Sequence, residues 1–179
     1  MPDPNNTPAE DRPIFLVGFM GAGKTTVGRA LARQLRWDFF DLDDLIEQRA
    51  GKSVQAIFSE SGESEFRRLE REALMSCSEL VRTVVALGGG AYVSEENRLS
   101  LRGIGKTVWL DCPLEICLRR ISGDRSRPLL GGADEMKALL ERRALAYAEA
   151  DFVVQSGNLS PEQIALMITK LLGANSARD

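Results

Sequence analysis

A three-layer α/β/α fold around a mainly parallel five-stranded sheet is predicted by three features of the sequence. Short β-rich apolar runs recur at residues 14–17, 37–40, 83–87, 107–110 and 152–154. Helical apolar spacing fills most of the intervals, and this alternation is the pattern of a sheet wound with crossover helices. Between the first run and the first helix lies Gly18-Phe19-Met20-Gly21-Ala22-Gly23-Lys24-Thr25, a glycine-rich turn of the form G-x-x-x-x-G-K-[ST].

Taken in order, the chain opens with a polar stretch, 1–12, rich in proline and acid and without an apolar segment; it is expected to be a disordered lead-in rather than a signal. One domain is expected over 13–173. The run 14–17 is the strand that must precede a phosphate loop, and Val27, Ala30, Leu31 and Leu35 repeat at the spacing of the helix that must follow it. Strand, turn and helix start gather several backbone N–H groups around one point, with the positive end of the helix dipole behind them. Lys24 adds a mobile charge for the outer phosphates, and the Thr25 hydroxyl is suited to Mg²⁺. Gly21, Ala22, Gly23, Lys24, Thr25 and Thr26 are thus candidate contacts for a nucleoside triphosphate.

After the second strand comes Phe40-Asp41-Leu42-Asp43-Asp44. Two readings stand side by side for its carboxylates. At the carboxyl end of a strand beside the phosphate loop, Asp41 and Asp43 are placed to hold a metal-bound water and to accept a hydroxyl proton. Aspartates also open helices, and Asp43 or Asp44 would serve as such a cap. Val54, Ile57 and Phe58 then predict a short helix, and Phe66, Leu69, Ala73, Leu74 and Leu80 a longer one. The charged residues of Gly62-Glu63-Ser64-Glu65-Phe66-Arg67-Arg68-Leu69-Glu70 read in isolation as a solvated helix face, as does Arg143 in Glu141-Arg142-Arg143-Ala144-Leu145-Ala146-Tyr147.

The third strand leads into Gly88, Gly89 and Gly90, where backbone can approach a ligand closely in the crevice that open α/β sheets use. Between two helical patterns, 122–134 combines arginines with glycines and a proline, the composition of a lid over a nucleotide. Ser160-Pro161-Glu162-Gln163 supplies a cap, a first-turn proline and a capping-box glutamine for the last helix. Residues 174–179 are expected to fray.

Composition narrows the chemistry. The chain has no histidine, which removes histidine bases, Ser-His-Asp triads and histidine-held zinc. Its net charge of −3 gives no basic field for nucleic acid. Cys77, Cys112 and Cys117 lack C-x-x-C spacing and are expected to be idle or buried thiols in a reducing, cytoplasmic setting. No apolar run is long enough for a bilayer, and no long apolar stripe remains unassigned, which predicts a monomer.

Over residues 14–154 these pieces together resemble the shikimate kinase family. The markers GFMGAGKTTVGR, FFDLDDLIE, FSESGESEFRRLE, LGGGA, RSRPLL and ERRALAY occur in the family's order and spacing. The resemblance implies a P-loop kinase fold with a mobile lid, and transfer of phosphate from ATP to the 3-hydroxyl of shikimate. Asp43 matches the substrate aspartate and proton acceptor, while Arg67 and Arg143 match the clamp on the shikimate carboxylate. Gly89 matches a backbone contact to the substrate, within the turn of Gly88, Gly89 and Gly90. The resemblance assigns Arg127 to the lid, closing on the phosphates, Arg120 to the adenine, and Asp41 to assisting Mg²⁺. Where the family often carries a further nucleotide-contacting residue after the last strand, this chain has Gln155-Ser156-Gly157-Asn158, without arginine. Two alternatives remain at this stage: another small-molecule kinase on this scaffold, acting on gluconate or a nucleotide, and a shikimate-binding protein without catalysis.

Overall fold

The structure is a computed structural model and describes residues 9–122 and 132–176. Its sheet has five parallel strands, β1 Ile14–Val17, β2 Asp38–Asp41, β3 Thr83–Ala86, β4 Lys106–Asp111 and β5 Phe152–Gln155. They lie in the order β2-β3-β1-β4-β5. Seven helices flank it among the described residues: α1 Lys24–Leu35, α2 Leu42–Ala50, α3 Val54–Ser76, α4 Glu95–Ile104, α5 Leu114–Ser122, α6 Ala133–Tyr147 and α7 Pro161–Ser176. β1 and β3 are buried at every residue, as strands covered on both faces must be. The core around them joins Phe15, Leu16 and Val85 of the sheet to Leu31 of α1, Leu74 of α3 and Ile168 of α7.

The strand order decides where ligands go. From β1 the chain moves outward to β2, returns to β3, then crosses to β4 on the other side of β1. At that reversal the loops after β1 and β3 part, leaving a crevice at the carboxyl ends of the strands. Both the glycine-rich turn after β1 and the three glycines after β3 belong to it. The Leu87 amide donates to the Leu16 carbonyl at 3.0 Å, holding the two loop bases side by side.

The expected elements appear, with strand ends shifted by a residue and larger differences at four places. β2 runs through Asp41 rather than stopping at Phe40, which moves the start of α2 to Leu42. The two helices expected between Ser53 and Leu80 are nearly fused: α3 is interrupted only at Gly62, with φ 79° and ψ 175°. It ends at Ser76, a 3-10 turn follows at Cys77–Glu79, and Leu80 is extended. At the front, Ala9–Asp11 form a 3-10 turn and the Arg82 amide donates to the Asp11 carbonyl at 2.7 Å, so part of the expected lead-in is structured. At the back, α7 continues to Ser176, past the expected fraying point, because Ala174, Asn175 and Ser176 contain no helix breaker. Its start is as expected: the Gln163 amide donates to Ser160 Oγ at 3.2 Å, and the Ser160 amide donates to Gln163 Oε1 at 2.9 Å.

Candidate active site

The turn after β1 has the form a phosphate nest requires. Gly21 and Gly23 hold positive φ, 76° and 95°, and Gly23 caps α1, so the helix N-terminus opens directly into the loop. Ala22 is fully buried beneath it, and Thr26 is exposed in the first turn of α1. Lys24 curls back over the loop, its ammonium donating to the Gly18 and Phe19 carbonyls, each at 2.9 Å. Arg120, near the end of α5, spans the same loop. Its Nη1 donates to the Gly21 and Ala22 carbonyls, both at 3.2 Å, and its Nη2 to the Gly157 carbonyl at 3.2 Å. It therefore joins the phosphate loop to the turn after β5. Its Nη1 also reaches Cys112 Sγ at 3.7 Å, and Cys77, Cys112 and Cys117 are all buried and free, as the sequence predicts.

The structure moves the cap of the acidic stretch to Asp41. As the last residue of β2 it accepts the Thr25 hydroxyl on Oδ2 at 2.7 Å and the Asp43 amide on Oδ1 at 3.1 Å. Asp41 is thus the cap of α2, a role the sequence offered to Asp43 or Asp44, and the extra strand residue is the reason. Asp43 stands in the first turn with its carboxylate against the glycine turn: a Cβ on Gly88 would lie 2.9 Å from Asp43 Oδ1. One hydroxyl and one carboxylate are hard oxygen donors that fit Mg²⁺, which takes few protein ligands and completes its shell with water and phosphate oxygens. Among the described residues no group of three or more acidic, cysteine or histidine side chains forms a cage of its own for a metal ion.

Three glycines after β3 gather the rest. A Cβ on Gly89 would lie 3.2 Å from Arg143 Nη1, and one on Gly90 would lie 2.9 Å from both terminal nitrogens of Arg67. Only glycine lets backbone lie this close to two guanidiniums and a carboxylate. Asp43 from α2, Arg67 from α3 and Arg143 from α6 therefore meet around one turn. That turn also reaches the phosphate loop, since the Gly89 Cβ position is 3.7 Å from the Gly18 carbonyl oxygen and from the Met20 amide.

Two residues of this cluster were not singled out in the sequence. Glu70 is 1% exposed and accepts from Arg67 Nη1 at 2.8 Å, while Glu63 takes the outer side of the same guanidinium at 3.2 Å. Burial raises the Glu70 carboxyl above its ordinary value; Arg67 opposes that, and the nearby Asp43 charge adds to it. The spacing of Arg67 and Glu70, three residues apart on a helix, was the available signal, but helix faces are rich in such pairs. Tyr147 is fully buried, and its hydroxyl donates to the Gly89 carbonyl at 2.5 Å. It follows Arg143 by four residues, the spacing that puts two side chains on one helix face. Of the predicted residues, Arg127 lies outside the described residues. So does most of the expected lid: Ser122 ends α5, and Ala133 and Asp134 open α6.

A family profile described as shikimate kinase matches residues 20–173. The shikimate kinase of Geobacter sulfurreducens is 44% identical over 166 residues, 91% of this chain and 92% of that protein. That of Bordetella pertussis is 46% identical over 166 residues, 90% of this chain and 77% of that protein. Among solved structures, shikimate kinase from Acinetobacter baumannii in complex with shikimate superposes with a TM-score of 0.87 at 36% identity, covering 93% of this chain and 96% of that one.

Proposed function

The chain belongs to the shikimate kinase family and phosphorylates shikimate from ATP, and on that premise we propose how its own residues divide the work. The observation that carries the assignment is the position of Gly89, within contact distance of both the phosphate loop and Arg143. An acceptor gripped at the glycine turn would present a hydroxyl to a phosphoryl group gripped at the loop.

Arg67 and Arg143 clamp the shikimate carboxylate, since two guanidinium forks match two carboxylate oxygens better than point charges do. Glu70 and Glu63 hold the Arg67 fork in orientation, and Gly88, Gly89 and Gly90 give the acceptor a backbone wall without side chains. Asp43 orients the 3-hydroxyl and takes its proton as the new P–O bond forms and the bond from the γ-phosphorus to the β,γ-bridging oxygen breaks, releasing ADP. At the other end, the nest at Gly21, Ala22, Gly23, Thr25 and Thr26 holds the phosphates, and Arg120 packs on the adenine. Lys24 and Arg127 offset the charge that gathers on the transferring group. Phosphoryl transfer through a loose transition state asks mainly for such positioning and charge stabilisation. Thr25, with Asp41 assisting through a water, would hold a Mg²⁺ ion, which would supply further neutralisation of the phosphate oxygens. We read the enzyme as a cytoplasmic monomer without nucleic-acid or membrane partners; among the described residues no helix is long and apolar enough to cross a membrane.

The test is an acceptor panel with ATP and Mg²⁺, offering shikimate, gluconate and nucleoside monophosphates separately. Phosphorylation confined to shikimate is expected. Faster turnover of gluconate or a nucleotide would overturn the acceptor assignment while leaving the donor site standing.

A further inference from the structure

The cluster contains a buried hydroxyl that no step of the transfer uses. Tyr147 is 0% exposed, its ring packs 6.0 Å from that of Trp109, and its hydroxyl donates to the Gly89 carbonyl at 2.5 Å. Burial pushes the Tyr147 hydroxyl up to about 12, so it keeps its proton and stays a donor through the working range. In a trans peptide the C=O and the next N–H point to opposite sides. Fixing the Gly89 carbonyl on Tyr147 therefore fixes the Gly90 N–H in the opposite direction. The far end of the turn is tied down too. The Val93 amide donates to the Gly90 carbonyl at 3.1 Å, and Arg98 donates to the Tyr92 and Val93 carbonyls at 3.1 and 2.7 Å. Arg98 also pairs with Glu149, just beyond α6, at 3.2 Å.

We infer that Tyr147 is a positioning residue for the acceptor: its hydroxyl sets the Gly89–Gly90 peptide in register with Arg143, four residues earlier on the same helix. One face of α6 thus supplies both a clamp on the acceptor and the strut for the backbone opposite it. The inference rests on the acceptor reading given above.

Tyr147→Phe keeps the ring and removes the hydrogen bond. The control is Thr83→Val, which removes a comparable bond, Thr83 Oγ to the Val81 carbonyl at 2.8 Å, away from the site. Both variants should lose a few degrees of thermal midpoint. Only Tyr147→Phe should raise the shikimate KM, by about tenfold, with kcat and the ATP KM nearly unchanged. Calorimetric shikimate binding should weaken by the same factor. An unchanged shikimate KM, or equal rises in both KM values, would overturn the inference and leave the hydroxyl a purely structural group. A parent chain that neither binds nor phosphorylates shikimate would overturn the acceptor reading and this inference with it; an active parent with an unaltered Phe variant would overturn the inference alone.

Discussion

Glu70 brings a charge to a place almost sealed from water, where an unpaired carboxylate would cost several kcal/mol. It is tolerated because Arg67 meets it at 2.8 Å, and Arg67 in turn is kept from swinging freely before an acceptor arrives. The arrangement has a signature in pH. Since burial raises the Glu70 carboxyl, the folded chain binds that proton more tightly than the unfolded chain does. Its contribution to stability is therefore complete below the unfolded value, 4.5, and declines as pH climbs through the higher folded value. Glu70→Gln should flatten that part of the profile and weaken shikimate binding through a loosened Arg67. Urea midpoints measured for both proteins at pH 4.5 and upward check it. Parallel profiles for parent and variant would show that Glu70 does not carry the effect.

At the scale of elements, α3 is broken at Gly62, five residues before Arg67. Val54 to Ser76 would run as one straight helix but for Gly62, whose φ of 79° with ψ of 175° is a conformation reserved almost entirely to glycine. A Cβ there would meet nothing within 4 Å, so a substitution tests backbone strain alone. Gly62→Ala should cost about 1–3 kcal/mol in urea unfolding, with Arg67 displaced and the shikimate KM raised. A loss well below that range would mean the chain relaxes into a continuous helix without penalty. The sequence showed two amphipathic segments with a glycine between them, but not that they nearly fuse. The same limit applies elsewhere. The five strands were legible because buried parallel strands are written as apolar runs, and the phosphate loop because its turn demands glycine. The cap of α2 was read at Asp43 or Asp44 because one further strand residue, Asp41 itself, shifts the helix start. Glu70 and Tyr147 read as ordinary helix residues; what distinguishes them is contact with the glycine turn, and for Tyr147 that partner lies 58 positions away in the chain.

Across the whole molecule, the strand order β2-β3-β1-β4-β5 sets the loops after β1 and β3 on one rim and brings α2, α3 and α6 around them. On the proposed reading, donor and acceptor sites share a wall where a Cβ on Gly89 would lie 3.7 Å from the Gly18 carbonyl oxygen and the Met20 amide. Removing an acceptor residue should abolish transfer without dismantling the nucleotide site. The most direct test is ADP release from ATP and Mg²⁺, with and without shikimate, in the parent chain and in Asp43→Ala. The account predicts shikimate-dependent release in the parent, a loss of roughly 10²-fold or more in the variant, and retained ATP binding in both. Shikimate-dependent turnover surviving in Asp43→Ala at the parent's rate would contradict it.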